Sequence, residues 1–453
     1  MIKEIINFLR DKKIAILGFG LEGKSTYNFI RKYLPEKQLD IIFKSWGENK
    51  ESNIKDKYIN FIVGENYLEG LEKYDLIIKS PGISFKDIDI TGFENKITSQ
   101  LELFLEYSKS FTIGVTGTKG KSTTSTLIYK IIKDQEKDVE LLGNIGTPIF
   151  DEIDKIGENT ISVIELSSHA LQYVKKSPNI SILLNLYEEH LDFYKSYKEY
   201  GDAKFNIFKY QNEKDIAIFN LDNQEIRKRN YNFKQEDYEI TMQDKINVLT
   251  KNTIYLKDNY IFYNNLKIYN VNQNRKLKGN HNLNNIMFAL AVSNILKLDL
   301  QKTINSINEF NPLEHRLEYV GTFGDVEYYN DSIATIPEAT IESIKALEKV
   351  NTLIVGGNDR GVNQQKLIQF LFDSTIENII CLPKTGIYIY EGLKKSDKNL
   401  INAKNLEEAV KCAKKVTKKG TICLLSPAAS SYGYFKNFKE RGNTFKYYVA
   451  KEV

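Results

Sequence analysis

The sequence predicts an α/β protein of three domains, Rossmann-like at both ends with a P-loop α/β domain between them. Three observations lead there. Short apolar runs bounded by turn residues alternate with helical stretches along nearly the whole chain, the signature of parallel sheets. Two glycine clusters, GFGLEG at 18–23 and TGTKGKST at 116–123, each stand between such a run and a helix. The chain of 453 residues is also too long for one core and suits about three domains of ~150 residues.

Taken in order, KKIAILGFG, LDIIFKSW, YINFIVG and YDLIIKSPG predict the strands of an N-terminal domain over residues 1–109. A central P-loop ATPase-type α/β domain over 110–311 follows, with FTIGVTG, TISVIEL and ISILLNL as its buried strands. Within it, the Asn-, Lys- and Tyr-rich stretch from about 212 to 278, including NTIYLKDNYIFYNNLKIYNV, predicts an antiparallel flank. HNLNNIMFALAVSNILKL returns to helical periodicity. VEYYNDS, NTLIVGGNDRG, NIICLP and TICLLSPA then alternate with helices in a C-terminal Rossmann-like α/β domain over 312–453.

Composition narrows the partners. Hydrophobic content of 42%, charged content of 27% and a net charge of only +4 describe an ordinary soluble protein with no global field for nucleic acid. No run approaches the ~20 apolar residues of a membrane span, so a cytoplasmic chain without membrane insertion is expected, as a monomer. Cys381, Cys412 and Cys423 have no CxxC spacing and support neither a disulfide framework nor a thiolate metal site.

The cluster at 116–123 follows an apolar strand and opens the helix STTSTLIYKIIKD, the setting a phosphate loop requires. Thr116, Gly117, Thr118, Lys119 and Gly120 can turn backbone N–H groups toward phosphate. Lys121 can reach its terminal oxygens, and Ser122, followed by Thr123, can ligate Mg²⁺. The register is a variant, with Val115 where the usual pattern has glycine. The other cluster matches GxGxxG, but the next strand ends in Phe43, Lys44 and Ser45 rather than in the acidic residue that would hold a NAD ribose. A diphosphate or nucleotide on the helix N-terminus and a ligand-free tight turn both remain open there.

Beyond the phosphate loop, strand ends supply Glu165 in ISVIELSSH, then Asn185, Glu188, Glu189 and His190 in NLYEEH. Glu165 and His190 suit Mg²⁺ near a triphosphate, Glu165 directly or through water. Glu189 and Asp192 are by default solvated charges, and His169 is taken as structural.

With these motifs the chain resembles the Mur ligase family, over nearly its full length. TGTKGKST at 116–123, GNIG at 143–146, ELSSH at 165–169, NLYEEHLDFY at 185–194, YGDAKFNIF at 200–208, GNHNLNN at 279–285, EHRLE at 314–318, YYNDS at 328–332 and LLSPAASSYGYFKNFKERGNTF at 424–445 carry the resemblance. It implies an ATP-dependent amide-bond ligase that adds D-glutamate to UDP-N-acetylmuramoyl-L-alanine through an acyl phosphate. An L-glutamate-adding branch of the family and an unrelated P-loop NTPase are the alternatives. Leu21, Glu22 and Gly82 would lie against the UDP part of the substrate, with Asn144 and His190 reaching toward the muramoyl part or the metal. Lys121, Ser122, Glu165 and His190 would gather the triphosphate and Mg²⁺. Lys204, by default a surface lysine, matches the family's carbamylated lysine and would add a metal-binding carboxylate. Asn282, Asn285, Arg316 and Asp331 would contact ATP, and Thr335, Arg360, Ser431 and Phe438 the incoming glutamate. The chain departs from the family's pattern at IATIP after Ser332 and at Arg360, which stands where the family has lysine after GGxD.

Overall fold

The computed structural model describes residues 1–45, 54–143, 147–190, 193–229, 231, 235–244, 252–347, 349–359, 362–431 and 433–451. Three sheets organise it. The first holds β1 (Ile14–Leu17), β2 (Leu39–Phe43), β3 (Ile59–Val63), β4 (Leu76–Lys79) and β5 (Ile97–Thr98), all parallel in the order β3-β2-β1-β4-β5. Every residue of β1 and β4 is buried, which is why both read as unbroken apolar runs.

The second sheet contains β6 (Phe111–Thr116), β7 (Val139–Gly143), β8 (Ile161–Glu165), β9 (Ile180–Leu183), β10 (Ile216–Asn220), β11 (Glu236–Thr241), β12 (Thr253–Lys257), β13 (Tyr260–Tyr263) and β14 (Leu266–Asn270). Their order is β14-β13-β12-β11-β10-β9-β6-β8-β7. The antiparallel flank expected for 212–278 is confined to β12, β13 and β14. Between β9 and β12 the pairing stays parallel, because the helix Gln224–Lys228 carries the chain back across the sheet between β10 and β11. Alternation of apolar and polar residues does not distinguish the two pairings.

One apolar core runs from the first sheet into the second. Phe29, on the helix Leu21–Tyr33, and Phe150, on the helix Ile149–Glu152, pack with ring centroids 4.3 Å apart, and Gln100 Oε1 accepts the Phe150 N–H. Contacts accordingly group residues 1–274 and 284–308 into one compact unit.

A second compact unit comprises residues 275–283 and 309–453. Its sheet has β15 (Glu318–Phe323), β16 (Val326–Asn330), β17 (Val350–Gly357), β18 (Asn378–Lys384), β19 (Asn399–Asn402) and β20 (Ile422–Leu425), in the order β15-β16-β20-β17-β18-β19. Only the β15–β16 pair is antiparallel. Separate apolar clusters cover its two faces, as the continuous apolar runs of β17, β18 and β20 require.

Candidate functional site

The strands that carry the phosphate-loop motif end side by side. β6 lies between β8 and β9, with Val115 paired to Glu165 and Thr116 to Leu183. After Thr116 the chain turns through Gly120, a left-handed residue at φ 86°, into the helix Lys121–Lys133. A Cβ at Gly120 would stand 2.5 Å from Asn285 Oδ1, so the turn needs glycine and Asn285 lies against the loop. Asn185 braces the loop from the β9 side. Its carbonyl accepts the Thr118 N–H at 3.0 Å, its Oδ1 accepts the Lys119 N–H at 2.8 Å, and its Nδ2 donates to Lys119 O at 3.0 Å. Lys121 Nζ donates to the carbonyls of Gly117 and Thr118, both at 3.0 Å, which folds the ammonium across the loop. Thr123, in the first helical turn, presents a buried hydroxyl with no hydrogen-bond partner among the described residues. A preformed cradle with a lysine and an orphaned hydroxyl fits a polyphosphate.

Lys204, on the helix Tyr197–Lys209, corrects the default surface reading. Only 2% of it is exposed, its Nζ donates to Gly117 O at 2.9 Å, and it lies 5.0 Å from the centre of the Tyr200 ring. Burial, followed by the charge of Lys121, holds its pKa well below the usual lysine range. A neutral amine at this position can react with CO₂, as an ammonium cannot.

Glu165 ends β8 and is 2% exposed. Glu189 is not the solvated charge expected. It pairs with Lys119 at 2.7 Å, and although burial raises its pKa, Lys119 outweighs this and the net shift is downward. His190, at φ 60°, lies with Nε2 3.7 Å from Glu189 Oε2 and its ring centroid 4.7 Å from that of His169. Among the described residues no group of three or more His, Cys, Asp and Glu could itself hold a metal. Ser122, in the first turn of the loop's helix, and Glu165, paired in register with Val115, carry oxygen donors of the kind Mg²⁺ takes.

A cavity of about 190 Å³ opens where the first two sheets meet, lined by Leu21, Glu22 and Lys79 on one side and by Glu165, His169 and Tyr173 on the other. His169, expected to be structural, is thus part of a cavity wall. Gly82 lies exposed in the loop after β4. Asn144, Arg360 and Asp192 fall outside the described residues.

Asn282, Arg316, Asp331, Thr335, Ser431 and Phe438 belong to the second unit. Asp331 is 3% exposed and accepts hydrogen bonds from Ser343 Oγ at 2.6 Å and Ser426 Oγ at 2.8 Å. Burial pushes its pKa up to about 6. Ser431 is buried and lines a cavity of about 270 Å³ at the ends of β17 and β18. Phe438 opens the helix Phe438–Ala450, its carbonyl accepting from Ser332 Oγ at 2.8 Å. Thr335 is partly exposed just before the helix Pro337–Ala346.

Comparison with known proteins places this geometry. A model of the Mur ligase middle domain matches residues 115–293. A UDP-N-acetylmuramoylalanine--D-glutamate ligase of Clostridium tetani is 33% identical over 455 residues, covering 98% of this chain and 97% of its own. The chain belongs to the Mur ligase family. A relative of the same name from Clostridium acetobutylicum is 35% identical, covering 98% of this chain and 97% of its own. Among solved structures, a MurF ligase from Thermotoga maritima in complex with ADP is similar in fold, with a TM-score of 0.60 at 16% identity, covering 99% of this chain and 97% of that one. Motif reading of this Mur ligase missed two residues. Lys79 was signalled by a charge closing the apolar run LIIK. Tyr200, whose hydroxyl lies 2.9 Å from Thr118 Oγ1, opens the motif YGDAKFNIF, where only Lys204 was given a role.

Proposed function

We propose that this Mur ligase joins D-glutamate to UDP-N-acetylmuramoyl-L-alanine in the cytoplasm, using ATP and Mg²⁺ and releasing ADP and phosphate. The similarity, from end to end of the chain, to ligases named for that reaction is the observation that carries the reading. Residues 1–109 form the domain for the UDP substrate, 110–311 that for ATP and 312–453 that for the amino acid.

The alanyl carboxylate attacks the γ-phosphorus and ADP leaves, giving an acyl phosphate. The glutamate amine then adds to the carbonyl, loses a proton, and the tetrahedral intermediate expels phosphate. The N–H groups of Gly120 to Ser122 and the Lys121 ammonium offset the charge that spreads over the transferring phosphoryl group, while the Thr118 and Lys119 N–H groups stay on Asn185. Lys121 leaves the Gly117 and Thr118 carbonyls to do so. Asn185 and Tyr200 keep the loop's backbone in place, so its backbone donors do not reorganise during the reaction. Ser122, Glu165, His190 and a carbamate on Lys204 would hold Mg²⁺, which would neutralise charge on the phosphate oxygens. The Lys204 amine forms that carbamate by adding to CO₂ and losing a proton. Asn282, Asn285, Arg316 and Asp331 serve ATP, while Thr335, Arg360, Ser431 and Phe438 serve glutamate.

Phosphate release from ATP, measured with the UDP-linked substrate and with D-glutamate, L-glutamate or no amino acid, tests this. Release is expected with D-glutamate. Dependence on L-glutamate moves the chain to the other branch, and release indifferent to either makes it a P-loop NTPase of different coupling.

A further inference from the structure

Thr335, Ser431 and Phe438 come from three stretches of the second unit: the loop after β16, the loop after β20 and the start of the helix Phe438–Ala450. The ladder between β16 and β20 ends at Asn330 and Leu425, so beyond those residues the two loops depend on individual contacts. One isolated bridge joins Asn358 to Ser430.

A single side chain reaches all three stretches. Arg441, in the helix Phe438–Ala450, is 1% exposed. Its Nε donates to Ser332 Oγ at 3.0 Å and its Nη2 to Ser332 O at 2.7 Å, while Nη1 donates to Ala429 O at 3.1 Å. Ser332 Oγ in turn donates to Phe438 O at 2.8 Å, which completes the connection to the start of the helix. Ser332 lies three residues before Thr335, and Ala429 two before Ser431. The end of β17 closes on the same point, since a Cβ at Gly357 would stand 3.1 Å from Arg441 Nη1 and 2.7 Å from Ser430 O.

Burial lowers the Arg441 pKa to about 10, so the guanidinium is charged at pH 7. Among the described residues no carboxylate lies within ion-pair distance of it. A buried charge without an ion pair is costly, and an apolar side chain would pack there more cheaply. What the guanidinium supplies instead is a planar fork whose donors reach acceptors in separate segments at once.

We propose that Arg441 is a positioning residue for glutamate, holding the segments of Ser332, Ala429 and Phe438 at the spacing that brings Thr335, Ser431 and Phe438 to the amino acid together. The proposal rests on the ligase reading above and on its assignment of those residues. It confines the effect of Arg441 to one substrate. Asp331, assigned to ATP, adjoins Ser332 but takes its hydrogen bonds from Ser343 and Ser426, and no described bond joins it to Arg441.

Steady-state kinetics of the full-length protein, with each substrate varied in turn, test this. Arg441→Lys keeps the charge but loses the fork. Its kcat/KM for glutamate is expected to fall roughly ten- to hundredfold, the scale of a misplacement of about 1 Å, with KM for ATP and for UDP-N-acetylmuramoyl-L-alanine within about twofold of the parent. Ser332→Ala removes the hydroxyl between Nε and Phe438 O but leaves two of the three Arg441 bonds, and should give a smaller loss of the same kind, about three- to tenfold. Hydroxylamine, which can take the acyl group from the acyl phosphate without a site for its carboxylates, should yield hydroxamate equally well with variant and parent. Thermal melting reports folding, and if Arg441→Lys does not fold, Ser332→Ala decides alone. An unchanged kcat/KM for glutamate, or equal losses toward glutamate and ATP, overturns the proposal. Thr335→Ala and Ser431→Ala separate it from the reading beneath it: if they weaken glutamate use and the Arg441 and Ser332 variants do not, only the positioning role falls. If all four leave glutamate use unchanged, the assignment of those residues falls too. Absence of glutamate-dependent phosphate release by the unsubstituted protein overturns the ligase reading itself.

Discussion

Lys204 and Asp331 show how burial, which no motif records, decides what a side chain can do. The motif YGDAKFNIF offers Lys204 as one more lysine in a chain with 63 Lys and Arg. Its chemistry comes from the Gly117 carbonyl and the Tyr200 ring, contributed by other stretches of the chain. Burial holds the pKa of the amine well below the usual lysine range and so favours the neutral form, which should take up labelled CO₂ from bicarbonate and give a carbamate signal by carbon NMR. Lys204→Arg, which cannot form the carbamate, should lose that signal and roughly a hundredfold or more in turnover. Asp331 makes a prediction of a different kind. Its native pKa of about 6 exceeds the ordinary 3.8, so between those values the folded chain holds a proton that the unfolded chain releases. This contribution to stability is complete below 3.8 and is lost as pH rises through 6, by roughly 3 kcal/mol in all. Urea unfolding of Asp331→Asn should therefore show a flatter pH dependence than the parent across that window. YYNDS located the aspartate, but the two serines that hold it, Ser343 and Ser426, come from distant segments that no spacing rule connects.

At the level of elements, local chemistry was legible wherever it was self-contained. The phosphate loop declared itself because strand, glycine turn and helix are contiguous in sequence, and the turn constrains its own backbone. Gly120→Ala tests that constraint. The substitution places a Cβ at φ 86° and 2.5 Å from Asn285 Oδ1, so it should lower stability by about 1–2 kcal/mol and weaken nucleotide binding in parallel, as read by denaturation and by fluorescence titration. The helix that carries Lys204 is likewise fixed by a local device. Ser196 Oγ accepts the Glu199 N–H at 3.2 Å, and Ser196→Ala should destabilise that unit by about 1 kcal/mol without altering the loop itself. What was not legible is pairing partner. The segment from β10 to β12 was read as antiparallel from its turn residues, yet its strands pair in parallel, because partner choice depends on where the crossover packs. Lys79 was overlooked for a related reason, since its position at the reversal of strand order exists only once β1 and β4 are side by side.

Taken as a whole, the chain yields three sheets but two compact units. Phe29, Gln100 and Phe150 join the first two sheets in a common core, and the segment 275–283 contributes to the second unit before the chain returns to the first. Length and strand alternation gave the number of sheets, whereas the shared core depends on apolar faces as far apart in sequence as Phe29 and Phe150. Units with separate cores unfold as separate cooperative transitions when their cores are not shared. Calorimetry should accordingly resolve two transitions rather than one or three, the larger belonging to residues 1–274 and 284–308. ATP with Mg²⁺ binds the folded phosphate loop and not the unfolded chain. At a hundredfold excess over its Kd it should stabilise that larger transition by about 2.7 kcal/mol. Lys121→Met should abolish most of the gain, because the ammonium that leaves the Gly117 and Thr118 carbonyls for the phosphates is then missing. A single transition would mean that the two units are thermodynamically one, and a third would mean that the Phe29–Phe150 contact does not hold the first two sheets together.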